Sequence, residues 1–349
     1  MVKSLYLCSL AERAGKTFLS IGIIKKLLSL NHKVIYFKPI GVSKNYFSNK
    51  IDLDVDFISK IFNFNKNLCT IFLPDVYYID LVDASKKEEY LQKIKNAYDE
   101  LTKDVDYVVI EGNPSIRKFI RTGIDDVSIA QHLGVNELIY VSVDSSDKCI
   151  DDFFFTKNYF DFRKIGILGI LFNKIDFDYI ARIKELTEDH INRYKIPVLG
   201  IIEKSIELFA PRVNEIKEQI GGELINDQSS AGLNNLVETF LIGAMNVQGA
   251  LKYLRQVKRA AFITGGDRTD LAMAALDQDV STLILTGFIQ PDMGVITAAN
   301  EKGIPIILSP SDTYTTMRNL ERLKPGIQED EMEKVLALIE KHVDWELLL

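Results

Sequence analysis

Apolar residues follow two rhythms along the first 200 positions. Short unbroken runs at 5–8, 34–37, 107–110, 138–143, 165–172 and 197–202 alternate with stretches in which apolar residues recur every three or four positions. Residues 17–30 are the clearest of the second kind, with Phe18, Ile21, Ile24, Leu27 and Leu28 on one face. Unbroken runs separated by helical patterns predict a parallel sheet whose strands are covered on both faces. The rhythm then changes. Residues 213–225 predict a helix closed by Gly221-Gly222. A second set follows, with strands at 260–264, 282–286 and 305–308 and helices at 271–276 and 295–300. The tail predicts one helix over 329–342 and an apolar end at 345–349. The expected organisation is therefore a larger α/β domain over 1–205, a smaller one over 206–325 and a helical tail over 326–349.

Composition narrows the classes. The chain has 349 residues, 47 % hydrophobic and 26 % charged, which suits roughly two folded domains rather than a disordered chain. With 42 Lys+Arg against 49 Asp+Glu the net charge is -7, which argues against a broad nucleic-acid-binding face. No run of 18 apolar residues predicts a membrane span. Cys8, Cys69 and Cys149 are widely spaced, as are the four histidines, so neither a disulfide framework nor a zinc site is expected, and a reducing cytoplasm fits.

The sharpest local signal is Ala14-Gly15-Lys16-Thr17, between the first strand and the first helix. Backbone N–H groups at a helix N-terminus favour an anion, a Lys there neutralises phosphate charge, and a Thr hydroxyl can hold Mg²⁺. The usual glycine five residues before Gly15 is Leu10 here, so the match is partial. Lys38-Pro39 follows the second run and Glu111-Gly112 the third, at the carboxyl edge where such sheets bind ligands. Asp52, Asp54 and Asp56 alternate, as charged residues at a helix start do. Asn173-Lys174-Ile175-Asp176 follows another run; an amide there can read a base edge, and the tetrapeptide also resembles guanine readers.

These residues, in this order, resemble the dethiobiotin-synthetase-like branch of P-loop proteins, which includes the cobyrinic acid diamide synthases. The resemblance implies an α/β P-loop fold over about residues 1–205, ATP and Mg²⁺ as cofactors, and roles for Lys16 and Lys38 in catalysis. It further implies Thr17, Asp54 and Glu111 at the metal, and Ala14, Gly15, Lys16, Thr17, Asn173 and Pro197 around the nucleotide. The second half, with Gly265-Gly266-Asp267-Arg268-Thr269, Leu283–Gly287 and Ser309–Tyr314, resembles the DRTGG domain, although Asp270 stands where the family has glycine. Read from the residues alone, that loop either cradles a phosphate or a neighbouring chain, or is a glycine turn with Asp267 and Arg268 paired internally.

The two halves together resemble the region that precedes the catalytic domain in long phosphate acetyltransferases. The expected protein is thus a nucleotide-binding regulatory or ATPase-like relative of that region, not an acetyltransferase by itself. A small-molecule effector at the DRTGG loop and a homo-oligomer, from the relatives and the apolar C-terminus, complete the expectation. Two alternatives stand beside it: a carboxylate-activating ligase, and a scaffold whose phosphate loop is vestigial.

Overall fold

The computed structural model describes residues 2–42, 52–64, 68–73, 82–205, 208, 210–323 and 331–349. The chain divides into two compact units, one formed by 1–204 with 329–349 and the other by 205–328.

In the first unit the elements run β1 (Lys3–Cys8), α1 (Lys16–Ser29), β2 (Val34–Val42), α2 (Leu53–Phe62), β3 (Cys69–Leu73), α3 (Lys87–Leu101), β4 (Tyr107–Glu111), α4 (Asp126–Leu133), β5 (Glu137–Ser142), α5 (Lys148–Arg163), β6 (Gly166–Ile175), α6 (Ile180–His190) and β7 (Val198–Glu203). The seven strands pair in the order β3-β2-β4-β1-β5-β6-β7, all parallel. Leu5, Tyr6, Leu7 and Cys8 are all at most 1 % exposed, so β1 is buried on both faces. Tyr6 and Cys8 join a cluster with residues of α3, α4, α5 and α6, while α1 packs against β1, β2 and β4. Because β4 inserts between β1 and β2, the carboxyl ends of these three strands are neighbours, and that adjacency builds the site.

Lys38-Pro39 does not follow the second strand but lies inside it. β2 pairs with β4 as far as Phe37 and with β3 from Lys38 onward. Pro39 is tolerated because its missing N–H would point to the side on which β4 has ended. β3 answers to no expected strand. Its residues are mostly half-buried, as befits a sheet edge.

The tail forms α12 (Met332–His342) and α13 (Trp345–Leu348) in the first unit, after five helices of the second unit described below; residues 324–330, and with them the expected boundary at 325, lie outside the described residues. α12 packs on α1, and Leu348 is buried. The apolar end is thus largely used within the chain. Gly22 on α1 has no room for a side chain: a Cβ there would lie 2.5 Å from Ile339 Cδ1 and 2.6 Å from Cγ2. Gly22→Ala should therefore lower stability by about 1–3 kcal/mol through overpacking, despite the better helix propensity of Ala. In an Ile339→Ala background the same change should be neutral or stabilising. Denaturant unfolding of the four proteins checks this, and additive effects would refute it.

The second unit contains α7 (Val213–Ile220), β8 (Glu223–Leu224), β9 (Thr239–Ile242), α8 (Val247–Leu254), β10 (Ala260–Gly265), α9 (Thr269–Leu276), β11 (Val280–Thr286), α10 (Met293–Lys302), β12 (Ile306–Leu308) and α11 (Thr313–Leu320). The strand order is β8-β12-β11-β10-β9, with only β8 antiparallel to its neighbour. Ala260 and Phe262 face one apolar cluster and Ala261 and Ile263 the other, so this sheet too is covered on both sides. The helix expected over 213–225 stops at Ile220, where Gly221 takes a left-handed φ of 63° as its C-cap. No described helix in either unit is long and apolar enough to cross a membrane.

Candidate functional site

The loop from Ser9 to Gly15 joins the buried end of β1 to α1. Arg13 and Gly15 both have positive φ, 58° and 80°, which curls the loop back over the sheet edge. Ser115 Oγ donates to the Leu10 carbonyl at 2.6 Å and Ile116 N to the Ser9 carbonyl at 2.8 Å, so the segment after β4 braces it. Leu10, where a glycine was expected, is buried in the core under the loop. From the other side, Asn173 Nδ2 donates to the Ala14 carbonyl at 2.9 Å and Lys174 Nζ to the Arg13 carbonyl at 3.1 Å.

Asn173 is fully buried and lies inside β6, which runs on to Ile175, rather than after the strand; its Oδ1 has no hydrogen-bond partner among the described residues. A Cβ on Gly15 would lie 2.3 Å from Asn173 Nδ2, so only glycine allows this approach. Pro197 is not brought to the site. Its carbonyl accepts from Ile170 N at the amino end of β7, three residues before Asn173 on the neighbouring strand, or about 10 Å along it.

The other expected residues converge. Thr17 Oγ1 donates to Glu111 Oε1 at 3.0 Å. Lys38 Nζ lies 2.6 Å from Asp54 Oδ2, 3.1 Å from Asp52 and 3.5 Å from Glu111 Oε1. Lys16, 5 % exposed, donates to the Pro114 carbonyl at 3.2 Å. Burial lowers the Lys16 pKa, with the nearby Glu111 carboxylate pulling the other way. Burial acts on Lys38 in the same sense, but three carboxylates outweigh it and hold its pKa well above the usual lysine value. Glu111 is raised, chiefly by burial; Lys38 opposes this, and Asp54 adds to it.

Three partners had no distinguishing sequence signal. Tyr36 OH donates to Glu111 Oε2 at 2.9 Å. Asp52 caps α2, accepting from the N–H groups of Asp54 and Val55, and also holds Lys38. Asp126, in the first turn of α4, is fully buried; its Oδ1 accepts from Asn113 N at 2.7 Å and Tyr6 OH at 3.0 Å. The alternation of aspartates at 52–56 thus divides: Asp52 and Asp54 meet Lys38, and Asp56 pairs with Lys60 within α2.

Two lysines, a hydroxyl and three carboxylates thus surround the N-terminus of α1, a setting chemically suited to a polyphosphate with a hard cation. An AAA-domain family model matches residues 3–212, and a DRTGG-domain model matches residues 215–323. The chain belongs to this AAA-domain family. Among similar proteins, the phosphate acetyltransferase of Synechocystis is 24 % identical over 100 % of this chain and 52 % of its own length. The phosphate acetyltransferase of Nitratidesulfovibrio vulgaris is 26 % identical over 99 % of this chain and 51 % of its own. This AAA-domain chain therefore spans about half the length of the curated relatives it matches.

Cobyrinic acid a,c-diamide synthase from Mycobacterium smegmatis, with bound ADP and magnesium, is a similar solved structure at 18 % identity, covering 59 % of this chain and 88 % of its own with a TM-score of 0.35. Another is the regulatory region of Clostridium perfringens pyrophosphatase, CBS and DRTGG domains complexed with diadenosine tetraphosphate, at 21 % identity, 46 % and 82 % coverage and a TM-score of 0.30.

In the DRTGG domain, Gly265 ends β10, and a Cβ on Gly266 would lie 1.9 Å from the Ile289 carbonyl oxygen. Thr269 Oγ1 donates to Asp292 Oδ2 at 2.7 Å. Arg268 pairs with Asp270 at 3.3 Å instead of the Asp267 expected for an internal bridge. The side chain after Thr269, which departs from the family pattern, thus supplies the partner.

Proposed function

We propose that the AAA-domain unit binds a nucleoside triphosphate, ATP, together with Mg²⁺, and that the protein is a nucleotide-responsive regulatory or weakly hydrolysing relative of the phosphate acetyltransferase N-terminal region. The convergence of Lys16, Thr17, Lys38, Asp54 and Glu111 on the first turn of α1 carries this reading. Lys16 and Lys38 serve the phosphoryl oxygens, while the backbone of Ala14–Thr17 cradles them. Thr17, Asp54 and Glu111 hold the metal. Their oxygen donors fit Mg²⁺, which commonly takes one or two carboxylates and completes its shell with phosphate and water. Mg²⁺ bound there supplies charge neutralisation between phosphate oxygens. The reading includes a small-molecule effector at residues 265–269, beside the carboxyl end of β10. It also places the protein in a reducing cytoplasm, consistent with three free thiols. A homo-oligomer loses the support of the apolar tail, because Leu348 is buried against the chain's own first unit.

Thermal shifts with ATP, GTP and ADP, each with and without Mg²⁺, test this. A rise with Mg-ATP that exceeds the rise with either component alone is expected; no rise with any nucleotide would leave the scaffold reading. Phosphate release without an added acid is expected of the regulatory ATPase. Release that requires a carboxylate substrate would favour the ligase.

A further inference from the structure

Among the described residues, no three His, Cys, Asp or Glu side chains are arranged to hold a metal ion. Three carboxylates instead gather on the Lys38 ammonium, Asp54 at 2.6 Å, Asp52 at 3.1 Å and Glu111 at 3.5 Å. The three are not equivalent. Asp52 is 2 % exposed, and its carboxylate is tied to three backbone N–H groups, from Val42 at 2.7 Å, Asp54 at 3.0 Å and Val55 at 3.1 Å. It cannot turn away without uncapping α2. The Asp54 side chain is 46 % exposed, and the hydrogen-bond donors to Glu111 are the hydroxyls of Thr17 and Tyr36. These two carboxylates can re-aim at the expense of side-chain contacts only.

We propose that Lys38 is an internal counter-ion that fills this carboxylate cluster in the nucleotide-free protein, and that Asp52 keeps hold of it when Asp54 and Glu111 turn to a divalent cation. The second part rests on the nucleotide reading above; the first does not. The physical reason is charge balance. With Lys38 in the cluster and Lys16 beside it, a free dication would meet two ammonium groups and have only two carboxylates to gain. Nucleotide phosphates add the missing negative charge, so metal and nucleotide bind with positive coupling. Asp52 acts through Lys38, as a positioning residue.

The test uses the full chain and Mn²⁺ alone, followed by its electron paramagnetic resonance signal and by thermal shift. Wild type should bind nucleotide-free Mn²⁺ weakly. Lys38→Met should bind it roughly tenfold tighter or more, the mark of a relieved like-charge contact, and Lys38→Arg, which keeps the positive charge, should still bind it weakly. Equal Mn²⁺ binding by wild type and Lys38→Met would overturn the counter-ion role. If Lys38→Met folds poorly, Mn²⁺ but not Na⁺ should restore it; restoration by neither also counts against the proposal.

Asp52→Asn keeps a capping side chain and removes the charge. It should loosen the Mg²⁺ dependence of ATP binding several-fold while leaving nucleotide-free Mn²⁺ binding weak. An unchanged Mg²⁺ dependence would remove Asp52 from the scheme. Because the Mn²⁺ comparison needs no nucleotide, it stays readable if ATP fails to bind.

Discussion

Lys16→Ala abolishes the stabilisation that Mg-ATP gives the wild-type protein. At a ligand concentration 100 times Kd, binding to the native state alone adds about 2.7 kcal/mol. For a unit of roughly 200 residues this is a rise in Tm of about 5–10 °C. Lys16 is the cation placed in the first turn of α1, buried, with its Nζ on the Pro114 carbonyl within the brace of the phosphate loop. Its burial already disfavours the charge, so a polyphosphate that restores a counter-charge gains from this side chain more than from an exposed lysine. The variant can differ in its own stability, since a buried ammonium is removed. The quantity to compare is therefore the ligand-induced shift within each protein. A shift in Lys16→Ala equal to that of wild type would sink the nucleotide assignment.

The second large effect belongs to Asp126→Asn. Burial pushes the Asp126 carboxyl up to about 7, against the pull of the Asn113 N–H and Lys16. Its Oδ2 has no hydrogen-bond partner among the described residues. An acid whose folded pKa lies above its unfolded value near 4 imposes no penalty below that value. The penalty then grows as pH rises, because the unfolded chain loses its proton first, and it levels off once the folded carboxyl also ionises near 7. The ceiling is roughly 4 kcal/mol. Asn can still accept from Tyr6 and Asn113 through its Oδ1, but its amide N–H groups inherit the unpartnered position, which offsets part of the gain. The variant should therefore be more stable than wild type by about 1–3 kcal/mol at pH 8, and the difference should vanish near pH 4. Chemical denaturation across that range measures it. A difference independent of pH would show that packing, not ionisation, governs the site.

Much of this architecture was legible because parallel strands buried on both faces are unbroken apolar runs. β1, β4, β5 and β6 announce themselves that way, and α1 by its 3.6-residue period. β3, with mostly half-buried residues at the sheet edge, and β9, four residues long, carry too little pattern to separate from loops. Lys16, Thr17 and Glu111 could be found because parallel strands send their following residues to one edge. Lys38 was found for the same reason, although β2 runs on past it by changing partners.

What the sequence could not convey was which polar groups fold inward. Tyr36, Asp52 and Asp126 look like ordinary members of a strand and two helix starts, and only their neighbours from distant segments make them interior. Asn173 reads as a residue after its strand, but β6 runs on to Ile175 and its amide donates to the Ala14 carbonyl, a partner 159 positions away. Pro197 was carried to the wrong end of its strand, because likeness of a short motif does not give register.

The chain leaves the first unit after Lys204 and re-enters it for α12 and α13, whose Ile339 fills the notch at Gly22. During synthesis, the helix bearing Lys16 therefore waits, one flank bare, until α12 and α13 have cleared the ribosome. The second unit has all its strands by then and can fold ahead of the first. A chain cut between the units should accordingly leave a shorter fragment that must be supplied in trans for the longer one to mature.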